Sequence, residues 1–185
     1  TAELISSNYL TNISNSLIMI KGAHSYHFDE VSDLLVRKMH ETILQVNLQA
    51  IVDNLNHYRS QLNPHTRIIC MVKADAYGAG AVEISKTLQE HNVNYLAVAV
   101  ADEGVTLRKA GITTKIMVLN PRVENYKAMF AYNLEPEVYG IEECRHIINE
   151  AQKNGITNYP VHIKVDTGMC RLGFVKEQLP ELIDL

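Results

Sequence analysis

From residue 67 onward the sequence alternates short apolar runs with amphipathic stretches, and this rhythm constrains the fold more than any other feature. The apolar runs at 67–72, 95–100, 115–119, 134–138 and 161–165 read as strands. Each leads into a stretch with helical spacing, at 81–91, 102–110, near 123–131, at 141–153 and after Lys176. Gly111 and Gly155 stand where helix C-caps belong. Little polar alternation within the strands is the pattern of parallel strands covered on both faces. Such βα units build either an open doubly wound sheet or part of a (β/α)8 barrel. A doubly wound nucleotide domain calls for G-x-G-x-x-G after its first strand. Residues 73–80, KADAYGAG, offer only G-A-G behind a lysine and a tyrosine. The expected fold class is therefore α/β, a partial (β/α)8 TIM barrel of about five βα units.

The first forty residues have a different pattern. Leu17, Ile18, Met19 and Ile20 suggest a short strand ending in Lys21-Gly22, and Phe28, Val31, Leu34, Leu35 and Met39 mark a helix face. At 42–48 the alternation of Ile43, Gln45 and Asn47 predicts a strand. Ile51, Leu55, Tyr58 and Leu62 then mark a helix closed by Asn63-Pro64. The boundary is placed so that 1–40 and 41–185 are separate segments. Thr rather than Met at position 1, and Leu185 lying within a helical pattern, suggest a piece of a longer protein.

Composition excludes several classes. A net charge of −4 leaves no basic footprint for nucleic acid or an anionic membrane surface. The longest apolar stretch, 96–101, is far too short to span a bilayer, and no signal-peptide pattern opens the chain, so a cytoplasmic protein is expected. Cys70, Cys144 and Cys170 are widely spaced without a CxxC and read as free thiols. His24 and His27 have a possible ligand spacing but no third ligand nearby; a solvated loop is expected and no metal site. Tyr126, Tyr132 and Tyr139 read as packing residues, and Asp102-Glu103 as charges on the first turn of a helix.

Functional groups on parallel α/β folds gather at the C-terminal ends of the strands. Lys73 ends the first strand of the repeat, where partial desolvation would lower its pKa and make its amine a nucleophile able to form a Schiff base. A lysine that merely snorkels to solvent is the competing reading. The second dense stretch is HIKVDTGMCRLGF at 162–174, after the fifth strand. Gly168 and Gly173 permit turns there, and Arg171 offers planar donors for a phenolate, carboxylate or phosphate oxygen. Lys164 and Asp166 share one strand face, either as an internal ion pair or as part of a site.

VKADAYGAG at 72–80 and KVDTGMCRLGF at 164–174 together resemble the two signatures of the barrel domain of pyridoxal-phosphate-dependent alanine racemases, over roughly residues 42–185. The resemblance implies interconversion of L- and D-alanine with pyridoxal 5'-phosphate as cofactor. Lys73 would carry the cofactor and act as the base on one face of the substrate Cα. Tyr77 would bind the phosphate and Arg171 the phenolic oxygen. Lys164 would be the lysine that the family often carbamylates to hold that arginine. Met169 would contact substrate across a dimer, so a homodimer is implied for the full-length protein. Ala79 departs from the histidine usual after Tyr-Gly. The family's second base is a tyrosine from a further domain, which implies that these 185 residues alone are not a competent racemase. Residues 1–40 resemble the closing strand and helix of the muramyl-peptide ligase that adds D-alanyl-D-alanine, with Ala23 where serine is common. That pairing implies D-alanine supply for peptidoglycan. Another racemase of the same fold, for serine or lysine, and a non-catalytic pyridoxal-phosphate-binding module remain as alternatives. A five-strand barrel would also leave two open sheet edges, prone to pairing with a complementary segment.

Overall fold

The structure is a computed structural model that describes residues 2–7, 9–10, 13, 16–21, 26–35 and 43–185, without the side chain of Asp29. The chain divides into two units, Thr1–Leu44 and Gln45–Leu185.

In the second unit, the strands are β1 (Ile69–Met71), β2 (Tyr95–Val98), β3 (Lys115–Val118), β4 (Leu134–Val138) and β5 (His162–Ile163). They pair in sequence order as a single parallel sheet, as expected when each strand is followed by a crossover helix. The helices α3 (Leu48–Ser60), α4 (Ala81–Glu90), α5 (Ala101–Lys109), α6 (Tyr126–Ala131), α7 (Ile141–Lys153) and α8 (Leu179–Asp184) complete the units. In the first unit, α1 spans Ala2–Ser6 and α2 spans Phe28–Leu35. The architecture is a partial (β/α)8 barrel.

The strands alternate more than their sequences suggest. Leu96, Val98, Ile116, Val118, Leu134 and Val138 lie on one face, almost wholly buried in the core with Leu107, Met129 and Phe174. The opposite face carries Ile69 and Met71, then Tyr95, Lys115, Glu135, Glu137 and His162, as the period of two and the strand register require. Only one face is thus packed as a purely apolar layer. Both glycine C-caps form: Gly111 has φ +90° and Gly155 φ +65°, with closing bonds from Ile112 N to Leu107 O (3.1 Å) and from Ile156 N to Ala151 O (2.9 Å). Arg108 ties the end of α5 to the starts of β3 and β4, donating to the carbonyls of Ile112, Thr114, Tyr132 and Asn133.

Two expected strands are absent. Residues 43–47 are exposed and unpaired, and Asn47 caps α3 instead, its Oδ1 accepting from Ala50 N at 3.1 Å. Leu17 to Ile20 are likewise exposed and form no strand. Alternation predicts which face a strand would bury, but a strand exists only where a neighbouring backbone takes up its hydrogen bonds. The helix expected from Phe28 is present as α2; Met39 lies outside the described residues. On α3, Leu55 is buried while Tyr58, and Leu62 just beyond the helix, stay exposed, because they line an open apolar groove along the edge of β1 with Ile69 and Met71. No helix among the described residues is long and apolar enough to cross a membrane.

Candidate active site

Val72 follows β1, is 1% exposed, and donates its N–H to Ala97 O at 2.8 Å on β2. Lys73 comes next, half-buried, at the start of the turn that follows β1. Among the described residues its Nζ has no hydrogen-bond or ion-pair partner.

The chain then does something its sequence does not announce. Lys73–Gly78 forms a helical turn in which Ala74, Asp75, Ala76 and Tyr77 all have φ between +51° and +59°, so the turn is left-handed. Each non-glycine residue in this conformation costs roughly 1–2 kcal/mol. Four in succession persist only because surrounding groups hold them. Ala76 N reaches back to Val72 O (3.0 Å) and Gly80 N to Asp75 O (3.0 Å). The Asp75 carboxylate caps α4, accepting from Ala81 N at 2.7 Å. The Glu103 carboxylate accepts from Ala74 N at 2.6 Å. Tyr77 is exposed, its hydroxyl without a partner among the described residues, and Gly78 and Gly80 continue at φ +85° and +94°.

Beyond β5 the chain makes a second shaped turn. Phe174 N donates to Lys164 O (2.8 Å) and Asp166 N to Phe174 O (2.9 Å), so the stretch between is a closed loop. Phe174 anchors it in the core at 0% exposed. Within the loop the Asp166 carboxylate accepts from Gly168 N (2.9 Å) and Cys170 N (3.0 Å). Asp166 is thus not the partner of Lys164, as an internal ion pair would have had it; its carboxylate turns back onto its own loop. Met169 and Arg171 are exposed on this loop, and Arg171 has no hydrogen-bond or ion-pair partner among the described residues.

The N–H groups of Gly168 and then Cys170 hold the Asp166 carboxyl below its ordinary 3.8. A depressed pKa means that loop stabilisation by Asp166 is present above pH 3.8 and is lost as pH falls through the lowered value. The Gly168 and Cys170 amide resonances should therefore titrate together, with one midpoint below that ordinary value, and Asp166→Asn should abolish the titration. Amide shifts indifferent to that substitution would exclude the assignment.

Lys164 instead faces Glu137 across β4 and β5, with its Nζ 3.1 Å from Oε2. Two residues earlier on β4, Glu135 accepts from His162 Nε2 at 2.8 Å and lies 3.4 Å from Lys115 Nζ. Lys115 also donates to the Tyr95 hydroxyl, whose bond, with Glu135, raises the lysine pKa. Glu135 and Glu137 are 6% and 9% exposed, buried charges matched by partners on the next strand. Sequence reading missed both, although LEPEV places its carboxylates at the strand period, with leucine, proline and valine on the other face. It also missed Glu103, which does more than charge a helix N-terminus: Oε2 accepts from Ala99 N at 2.8 Å while Oε1 takes Ala74 N. Tyr126 is core at 2% exposed, Tyr132 packs against the core, and Tyr139 is half-buried near Asn120 Oδ1 at 3.4 Å. Cys70, Cys144 and Cys170 are unbridged. His24 lies outside the described residues, among which no cluster of three or more metal-ligating side chains occurs.

The structure therefore gathers Lys73 and Tyr77 on one turn after β1, and Met169 and Arg171 on one loop after β5. Both lie at the C-terminal ends of the parallel strands, although β1 and β5 are the two outermost strands of the sheet.

Comparison with known proteins converges on one family. The family described as "Alanine racemase, N-terminal domain" matches residues 46–185. The alanine racemase of Thermodesulfovibrio yellowstonii is 40% identical over 133 residues, covering 70% of this chain and 36% of that protein. Alanine racemase 2 of Bacillus subtilis is 35% identical over 152 residues, covering 80% of this chain and 39% of that protein. This chain thus spans well under half the length of these relatives. Among solved structures, the alanine racemase of Clostridium difficile 630 superposes with a TM-score of 0.71 at 36% identity, over 77% of this chain and 40% of that one. The alanine racemase of Bartonella henselae with covalently bound pyridoxal phosphate superposes with a TM-score of 0.68 at 28% identity, over 75% of this chain and 40% of that one.

Proposed function

The chain belongs to the alanine racemase N-terminal domain family, and on that premise we propose that it is the cofactor-carrying part of a pyridoxal-phosphate-dependent racemase that interconverts L- and D-alanine. The observation that carries the reading is Lys73: an amine without a partner among the described residues, at the C-terminal end of a barrel strand, on a backbone held by the bonds of Val72 to Ala97 and of Ala74 to Glu103. The residues present suit the cofactor. A primary amine at Lys73 matches an aldehyde, the Tyr77 hydroxyl a phosphate oxygen, and the Arg171 guanidinium a phenolic oxygen, and none of the three is engaged by another of the described residues.

Pyridoxal phosphate, when bound, supplies the electron sink that makes a proton on the substrate Cα removable. Lys73 would hold the cofactor through Nζ, with Tyr77 and Arg171 orienting it. On substrate binding, Lys73 Nζ becomes the group that takes or returns the Cα proton on one face. Racemisation needs a second base on the opposite face. Tyr77 sits on the same turn as Lys73, so we place that second base outside residues 1–185, and expect these residues alone to bind cofactor without the turnover of a longer racemase. Exposed Met169, on the same loop as Arg171, is the contact we assign to a second copy of the protein, in a homodimer. Lys164, paired with Glu137, is the candidate for carbamylation under this reading. Residues 1–40 we read from their sequence as the tail of a muramyl-peptide ligase. That reading assigns the activity to D-alanine supply for peptidoglycan, in the cytoplasm.

The test is covalent trapping. Pyridoxal phosphate followed by borohydride should leave its mass on the peptide containing Lys73, with little on Lys86 or Lys109. Label spread evenly over the lysines, or absent, would sink the proposal.

A further inference from the structure

We infer that Glu103 is a positioning residue for Lys73, acting through the backbone on which the lysine stands; the inference rests on the reading of Lys73 just given. Glu103 is half-buried near the start of α5, and its two carboxylate oxygens are divided between two strand ends. Oε1 accepts from Ala74 N at 2.6 Å, the first amide after Lys73. Oε2 accepts from Ala99 N at 2.8 Å and, more weakly, from Val100 N at 3.4 Å, just beyond β2. One side chain therefore ties the exit of β1 to the exit of β2, at the residue where the chain enters its left-handed turn.

That junction is where a clamp has most effect. Ala74, at φ +52° and ψ +52°, is the first of four residues held in a disfavoured conformation, and the bond to its amide fixes the peptide plane that joins it to Lys73. If the Ala74 amide were released, the turn could relax toward extended backbone and the lysine would lose its fixed aim. The neighbouring Asp102 gives a built-in contrast. It carries the same charge on the same first turn of α5, but only its backbone carbonyl is engaged, by the Thr106 hydroxyl. A general effect of negative charge at the helix start would apply to both residues alike. A clamp on the reactive lysine belongs to Glu103 only.

Both oxygens of Glu103 are used as acceptors, so glutamine cannot replace it. Its shape and helix propensity are nearly the same, but its amide nitrogen would face one of the N–H donors. Glu103→Gln thus removes one bond with little change in packing.

The experiment compares the wild-type chain, Glu103→Gln and Asp102→Asn by two measurements. One is hydrogen exchange of the Ala74 and Leu96 amides by NMR. The other is pyridoxal phosphate and borohydride labelling of Lys73 relative to Lys109. In Glu103→Gln we expect exchange at Ala74 to quicken by about fivefold or more, because its bond is either lost to the new amide nitrogen or left with an uncharged, weaker acceptor. Leu96 in the core strand should be unmoved, and the Lys73 label should fall several-fold against Lys109. Asp102→Asn should change neither. Unchanged Ala74 protection in Glu103→Gln, an equal effect of Asp102→Asn, or loss of protection at Leu96 together with Ala74 would each overturn the inference. If Lys73 is unlabelled even in the wild type, the cofactor reading fails while the exchange measurement still decides the role of Glu103.

Discussion

Lys73→Arg is expected to reduce borohydride-trapped pyridoxal phosphate to background while leaving the fold intact. Arginine keeps the positive charge and a long stem, so any role in packing or in attracting a phosphate survives. It cannot supply a neutral amine, because the guanidinium stays protonated throughout the accessible pH range. The fold should tolerate the exchange, since Nζ of Lys73 has no partner to lose among the described residues and arginine keeps the length and charge of a half-buried side chain. The trapped label should fall at least about a hundredfold. In a protein that turns over, kcat/KM should fall by roughly 10²–10⁴, the scale of losing a positioned acid–base group. Intact-protein mass after trapping, alongside a urea melt, separates the two effects. Label persisting in the arginine variant would move the site elsewhere.

The largest stability effect is expected at Gly173. It closes the loop carrying Met169 and Arg171, with φ +128°, and a Cβ there would lie 2.6 Å from Asp166 N and 2.9 Å from Val165 C. Both are backbone atoms of the paired segment at the loop base, so no side-chain rotation relieves the clash. Overpacking against fixed atoms costs about 1–3 kcal/mol, and the positive φ adds about 1 kcal/mol for a residue with a Cβ. Gly173→Ala should therefore lose about 2–4 kcal/mol in urea denaturation. Gly168 is the control: it shares a positive φ of +122°, but a Cβ there would meet nothing within 4 Å, so Gly168→Ala should lose only the conformational part, about 1 kcal/mol. Equal losses at the two positions would show that close approach at Gly173 is not what the loop depends on.

Much of the repeat was legible because it rests on local chemistry. Strand β4 and helix α7 fall at their expected residues, and Gly111 and Gly155 cap helices because positive φ favours glycine wherever it occurs. Lys73 could be singled out only together with KVDTGMCRLGF, since a lysine at a strand end is by itself as well read as one that snorkels to solvent. The strand expected at 42–48 was misread for the converse reason: alternation is local, but a strand's hydrogen bonds are not.

What the sequence by itself determined is the succession of βα units, and with it the end of the sheet at which Lys73, Tyr77, Met169 and Arg171 stand. Tertiary structure alone decided who meets whom. Glu137 rather than Asp166 pairs with Lys164, because parallel register sets β4 beside β5 while the Asp166 carboxylate is drawn to two amides of its own loop. Glu103 reaches Ala74 across 29 residues of chain because the exits of β1 and β2 are neighbours only once the sheet has formed. The left-handed turn after Lys73 belongs to the same class. No local preference favours four such residues in a row, and they are held by bonds that exist only in the folded chain.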